Sequence, residues 1–245
     1  AGAQGIMAGI NAARFIRKLS PVILRRDQAY TGVLIDDLVT KGTNEPYRMF
    51  TSRAEYRLIL RENNADMRLR DLGYELGLVK ENVYSKFLQK RNSIRSLSQA
   101  LSEHKIYPNK DMSEKLSSLG FHGVKQAMPI SEFFKRPEAT IENIKQLIPE
   151  SISYDDYLLE EVSLSVKYDG YIQRQLLQVE RQHKLETCEI PDSFDYQHIK
   201  GLSREVHEKL VRIRPRSIGQ ASRIPGVTPA AISLLLVYLK RAKAV

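Results

Sequence analysis

The sequence predicts a mainly α-helical protein, interrupted near its start by a short stretch of extended and irregular chain. Apolar residues recur at helical spacing over much of its length, as in Phe87, Leu88, Ile94 and Leu101. Pro21, Gly32, Gly42 and Pro46 punctuate residues 21–64, where the helical pattern lapses. Near the C-terminus, Ser203, Ser217 and Thr228 each stand just ahead of a helical run, where a side-chain oxygen can cap free N–H groups.

The first expected helix covers residues 4–19 and ends before Pro21, whose ring cannot continue it. Gly5 and Gly9 lie four apart on one face, beside Ala8, Ala12 and Ala13. Such a face lets a helix approach a neighbour closely, and its N-terminal N–H groups suit an anionic ligand. Plain close packing accounts for the pattern equally well. Residues 33–35 and 56–61 read as short extended pieces. Asp36 and Asp37 follow the first piece. Neighbours on a strand point to opposite faces, so a turn or strand-end role fits them better than a shared acid–base pair.

Helices are then expected at 65–76, closing near Gly77, and at 83–104. Short ones around 112–118, 131–135 and 140–147 are separated by Gly120, Gly123, Pro129 and Pro137. A long helix starts at about Asp156 or Ser163 and runs to Glu186. Ile190-Pro191-Asp192 breaks into a small terminal module. There Ser203 caps a helix through Ile213, Ser217 with Gln220 forms a capping box, and Thr228-Pro229 fits N-cap plus first helical position. These breaks divide the chain into residues 1–64, 65–190 and 191–245.

With 42% hydrophobic and 27% charged residues in 245, the chain is globular rather than disordered. Its longest apolar run, 230–239 with Ser233 inside it, is too short to span a bilayer. No basic segment precedes an apolar core and cleavage site, so no secretory signal is expected. Cys188 is the lone cysteine, which excludes an internal disulfide and points to a reducing cytoplasm. His104, His122, His183, His198 and His207 are scattered, so no metal site is expected. There is no P-loop, no complete GxGxxG, and no Ser/His/Asp or Cys/His constellation. No catalytic residue is assigned, Cys188 included. The chain opens without Met inside a helical pattern, which suggests the C-terminal piece of something longer.

The net charge is +9, unevenly spread: +4 over residues 1–80, −1 over 81–190 and +6 over 191–245. Two basic ends flanking a neutral middle are an electrostatic footprint for a polyanion. The densest part is residues 47–70, YRMFTSRAEYRLILRENNADMRLR. Arg48, Arg53, Arg57, Arg61, Arg68 and Arg70 are interleaved there with Tyr47, Phe50 and Tyr56, without a single lysine. Read as a strand, 56–61 buries Tyr56, Leu58 and Leu60 and exposes Glu55, Arg57 and Arg61. Guanidinium forks match phosphate oxygens, and neighbouring aromatics can stack on unpaired bases. The competing reading is a solvated face whose arginines pair with Glu45, Glu55, Glu62, Asp66 and Asp71.

The terminal SIGQASRIPGVTPAAISLLLVYLK has the helix, turn and helix of a DNA reader, but its second helix lacks a polar face for base edges. Ile232, Leu235, Leu236 and Leu239 form one apolar stripe, and Leu234, Val237 and Tyr238 extend apolarity to another face. That helix is either buried on two sides or partly open to a partner protein.

In order along the chain, AQGIMAGINAA, QAYTGVLIDDLVTKGTNEPYRMFTSRAEYRLILRENNADMRL, YDGYIQRQ, IPDSFDYQHIKGLSREVHEKL and IGQASRIPGVTPAAISLLLVYLK resemble the MnmG (GidA) family. The likeness is weakest over 105–150. It departs from the family's usual pattern at Gly2, where Ala is common, and at Pro225, where Ser is common. The resemblance implies an FAD-dependent, NADH-reduced enzyme that works with the GTPase MnmE. Together they add an aminomethyl or carboxymethylaminomethyl group, from a methylenetetrahydrofolate carbon and an amine or glycine, to C5 of the wobble uridine of tRNA. It implies a cytoplasmic homodimer, and a first helix that is the last of a FAD-binding α/β domain otherwise outside these residues. On the same resemblance Gln4 is a FAD contact, and Arg48, Arg53, Arg57 and above all Arg61 face tRNA. Leu234, Val237 and Tyr238 meet MnmE. The fragment alone is then expected to be inactive. A helical protein-interaction module without nucleic-acid binding, or a helix-turn-helix DNA-binding protein, remains the alternative; steep salt dependence of tRNA binding separates the first from the family reading.

Overall fold

The computed structural model describes residues 2–148, 153–197 and 199–243, and among them the chain is mainly helical, with irregular stretches and one two-stranded ribbon. His198 lies outside the described residues. Two compact units form, one from Ala1–Arg57 with Arg174–Val245, the other from Leu58–Gln173.

The first unit opens with α1 (Gly2–Ile16) and α2 (Tyr30–Thr40). Met7 is the buried residue of α1. The turn after it is clasped by Asn11, whose amide donates to the Val22 carbonyl at 3.0 Å and whose carbonyl accepts from the Val22 N–H at 2.7 Å. The extended piece expected at 33–35 is instead the middle of α2, with Val33 fully buried. A three-residue apolar run fits a buried helix as well as a strand. Gly32 supplies what decides between them. A Cβ there would stand 2.3 Å from the Arg25 carbonyl oxygen, so only glycine lets residues 24–25 cross the first turn of α2.

The second unit holds α3 (Ala65–Glu75), α4 (Glu81–Glu103), α5 (Lys110–Ser118), α6 (Ile130–Phe133), α7 (Ile141–Leu147) and α8 (Asp156–Lys167). Leu97 and Leu101, four apart on α4, meet Phe133, Phe134, Ile144 and Leu159 in its core. Strands β1 (Lys105–Ile106) and β2 (Met128–Pro129) pair antiparallel, with Ile106 opposite Met128. Asn109 caps α5 through the Met112 N–H at 2.8 Å, and Thr140 with Asn143 forms a capping box on α7.

The long helix expected up to Glu186 is broken. α8 ends at Lys167, Tyr168 leaves helical geometry, and α9 (Asp169–Glu186) begins anew. Helices α10 (Arg204–Ile213), α11 (Ile218–Arg223) and α12 (Pro229–Lys243) complete the chain. Ser203 accepts from the Val206 N–H, and Thr228 from the Ala231 N–H, each at 3.3 Å, as the sequence led one to expect. At α11 Ser217 accepts from the Gln220 N–H at 3.0 Å, but the Gln220 side chain returns to Arg216 rather than to Ser217. Ile232, Leu235 and Leu239 of α12 pack with Val206, Leu210 and Ile218 in the terminal core.

Candidate nucleic-acid interface

After α2 the chain runs without regular structure to a 3₁₀ turn at Thr51–Arg53. What holds this stretch is a buried charge cluster on α2. Asp37 is 1% exposed. It accepts hydrogen bonds from Tyr47 Oη at 2.7 Å, Arg26 Nη1 at 2.8 Å and Lys41 Nζ at 2.9 Å, and Arg53 Nη1 stands 3.8 Å away. Arg26, 8% exposed, also reaches Asp36 at 3.0 Å, Glu55 at 2.8 Å and the carbonyls of Val33 and Arg53. From the terminal module Arg223 grips both oxygens of Asp36 at 2.7 Å and also pairs with Glu186.

Burial pushes the Asp37 carboxyl up, but the Tyr47, Lys41 and Arg26 hydrogen bonds outweigh it and hold the group below its ordinary value. Burial lowers Arg26, and the hydrogen bonds to Glu55 and Asp37 more than reverse that. Burial and the Asp37 charge push the Tyr47 phenol up to about 12. At neutral pH Asp37 is therefore ionised, and Arg26 and Tyr47 keep their protons.

The Arg-rich segment divides by environment. Arg48 and Arg57 are exposed, and among the described residues no carboxylate pairs with either. Arg53 is 39% exposed, with its guanidinium 4.6 Å from the centroid of the Tyr47 ring. Phe50 is 55% exposed between them. Of the five carboxylates weighed as partners, Glu55 is taken by Arg26, Asp66 by Lys90 and Asp71 by Arg91. Glu45 and Glu62 pair with none of the four arginines among the described residues.

The strand expected over 56–61 does not form. The chain turns there, with Tyr56 and Leu60 buried and Arg57 exposed. Arg61 is not an exposed side chain. Its guanidinium donates to the Leu58 carbonyl at 2.7 Å, to Asn63 at 3.2 Å and to Ser165 of α8 at 3.3 Å. A carbonyl that a ladder would use is thus satisfied by a side chain. Burial pulls the Arg61 guanidinium below its ordinary value, against the opposing pull of Glu161.

Gln4 is exposed on α1 and lies outside a cavity of the first unit. That cavity, of about 910 Å³, lies between α2 and the terminal helices, with Ile35, Val39, Tyr56 and Ile213 on its walls. On α12, Val237 is 47% exposed, but Leu234 and Tyr238 are half-buried. The Tyr238 hydroxyl accepts from the Lys200 N–H at 3.2 Å, and a Cβ on Gly201 would lie 3.2 Å from a Leu234 methyl. Leu236 is half-buried too, not a full member of the core stripe.

Among the described residues, no three His, Cys, Asp or Glu side chains are placed to hold a metal, and no helix is long and apolar enough to cross a membrane. Arginines without counter-charges beside an exposed aromatic ring can grip phosphates and stack a base. The Asp36–Asp37 cluster was missed from the sequence, where the local signal was Arg25-Arg26 lying about ten residues ahead of two adjacent carboxylates.

Two family profiles match the chain. Residues 81–176 match the tRNA modifying enzyme MnmG/GidA C-terminal helical domain, and residues 178–245 the C-terminal helical bundle of the same enzyme. The tRNA uridine 5-carboxymethylaminomethyl modification enzyme MnmG of Listeria monocytogenes serovar 1/2a is 48% identical over 243 residues, which are 99% of this chain and 39% of that protein. The enzyme of the same name from Thermodesulfovibrio yellowstonii is 50% identical over 241 residues, 98% of this chain and 38% of that protein. The form II crystal structure of Aquifex aeolicus GidA superposes with a TM-score of 0.77 at 40% identity, covering 98% of this chain and 37% of that one. The chain thus spans less than two-fifths of the length of the relatives it matches.

Proposed function

The chain belongs to the MnmG/GidA family, and we propose that it serves as the tRNA-gripping, partner-docking part of a flavoenzyme that modifies C5 of the wobble uridine together with the GTPase MnmE. The observation that carries this is the exposure of Arg48 and Arg57 without counter-charges in a chain similar throughout to tRNA-modifying enzymes. Arg48, Arg53 and Arg57 take phosphates, and Phe50 offers a ring to an unpaired base. Arg61 acts within the second unit, by fixing the turn at 58–63.

The remaining assignments belong to the same proposal. Residues 1–64 are the tail of the flavin domain and carry the Arg-rich tRNA-facing segment, 65–190 form the helical domain, and 191–245 form the small module that meets MnmE. The whole enzyme is a cytoplasmic homodimer that takes electrons from NADH. FAD, when bound, supplies the redox chemistry. Gln4 fits an edge contact to it, being exposed on a helix whose Gly2 and Gly5 have open space beside them. Gln4 is exposed among the described residues, and the chain alone is expected to purify colourless and not to oxidise NADH. On α12, Val237 is the exposed contact for MnmE, flanked by the half-buried Leu234 and Tyr238.

The test is titration of an unmodified tRNA transcript with the 245-residue chain at several salt concentrations. Three phosphate contacts give a slope of log K against log salt of about −2 to −3. A flat salt response, or no binding at low salt, refutes the reading and leaves a protein-interaction module.

A further inference from the structure

We propose that Asp37 is a positioning residue for tRNA binding, fixing Arg53 in the orientation that meets a phosphate. The inference rests on the tRNA-binding reading and deepens it. Asp37 touches no solvent-facing ligand surface itself, being 1% exposed. Its carboxylate nonetheless gathers four donors from three parts of the chain: Arg26, Lys41, Tyr47 and, at longer range, Arg53. Two of them belong to the Arg-rich segment.

The geometry around Arg53 explains how a buried carboxylate can act on an exposed arginine. Arg26 and Lys41 occupy Asp37 at 2.8 and 2.9 Å, while Arg53 stands off at 3.8 Å. That distance orients the guanidinium without a hydrogen bond that would use up its donors. The Tyr47 ring lies under the guanidinium at 4.6 Å, and the Tyr47 hydroxyl is bonded to Asp37 at 2.7 Å. The platform and the charge that aim Arg53 therefore hang from one carboxylate. The Arg53 carbonyl accepts from Arg26 at 3.1 Å, so its backbone is tied to the same cluster. A free arginine side chain loses rotamer freedom on binding; one already aimed loses less. Asp36, one residue earlier on α2, shares Arg26 and also holds Arg223. The pair of carboxylates thus divides its work between the segment and the terminal module.

A double-mutant cycle tests this, with tRNA affinity read at fixed salt and temperature below any unfolding. Arg53→Ala and Asp37→Asn are each expected to weaken binding about tenfold, the effect of one charge-assisted contact. If Asp37 acts through Arg53, the double variant is no weaker than either single one. Tyr47→Phe, which removes one hydroxyl and keeps the ring, stands in should Asp37→Asn fail to fold. It is expected to weaken binding about threefold, with no further loss in the Arg53→Ala background. Losses that multiply, or an Asp37→Asn variant that binds like the parent, overturn the proposal. If Arg48→Ala and Arg57→Ala weaken binding but Arg53→Ala does not, the positioning role falls and the tRNA reading stands. If none of the three arginine variants weakens binding, the tRNA reading itself falls.

Discussion

Arg57 and Arg61 lie four residues apart in the same basic stretch, yet their environments assign them opposite sensitivities. Arg61 is half-buried and holds the Leu58 carbonyl, Asn63 and Ser165, the last on α8. Truncation to Ala strips a half-buried carbonyl of its donor and releases the 58–63 turn from α8. One charge-assisted hydrogen bond contributes about 1.5–3 kcal/mol, and partial solvent access trims it, so Arg61→Ala should cost about 2 kcal/mol. For a unit of this size that lowers the melting temperature by roughly 8 °C. Arg57 is exposed and without an ion-pair partner among the described residues, so Arg57→Ala should change stability by less than about 0.5 kcal/mol. Its loss should appear in tRNA affinity, by about 1–3 kcal/mol, and in a salt slope shallower by about 0.7–0.9. Thermal denaturation followed by circular dichroism, beside a tRNA titration at two salt concentrations, reads both quantities. An Arg61→Ala protein that melts like the parent would refute the structural role. An Arg57→Ala protein with unchanged affinity and unchanged salt slope would refute the phosphate contact.

Four further outcomes rest on the packing, the buried charges and one glycine contact. Leu235→Ala, at a fully buried position of α12, should cost about 2–5 kcal/mol in a urea melt, whereas Val237→Asp should leave stability near that of the parent and abolish capture of MnmE. Cutting the chain after Gly226 is the poorer test of docking, because it removes Ile232, Leu235 and Leu239 from the terminal core. Asp37 sits below its unfolded value, so its contribution is intact above about pH 4 and lost as pH falls through the lower folded value; Asp37→Asn should flatten the acid limb of stability against pH. Tyr47 is raised to about 12, so its contribution is intact below about pH 10 and lost as pH climbs through that higher value, a decline that Tyr47→Phe should lessen. Gly32→Ala drives a Cβ into the Arg25 carbonyl and should cost roughly 1–3 kcal/mol in the same urea melt, with Arg26 displaced from both aspartates.

The helical content and the caps of the terminal module were legible because they rest on local chemistry. A serine hydroxyl meets an N–H three residues on whatever the rest of the chain does, and the apolar spacing of α4 and α12 states which face is buried. The exposed arginines were legible as composition. Which of them remained free was not, since Arg61 is claimed by Ser165, 104 residues away. Exposure is decided by what the fold brings alongside, and spacing along the chain carries no record of that.

The Asp36–Asp37 cluster shows how one misread element hides a site. On a strand, adjacent side chains diverge by about 180°, and two neighbouring carboxylates cannot share a partner. On a helix they diverge by about 100°, and a guanidinium crossing the axis can reach both. Arg26 does so, meeting Asp36 at 3.0 Å and Asp37 at 2.8 Å with one nitrogen. The run Val33, Leu34, Ile35 permits either conformation, and Gly32 settles it by admitting the Arg25 backbone against the first turn of α2. Once residues 30–40 are helical, Asp36 faces Arg223 and Asp37 faces Tyr47 and Arg53. A single glycine contact thereby determines whether two acidic residues end a strand or mount the segment on which tRNA binding is proposed to depend.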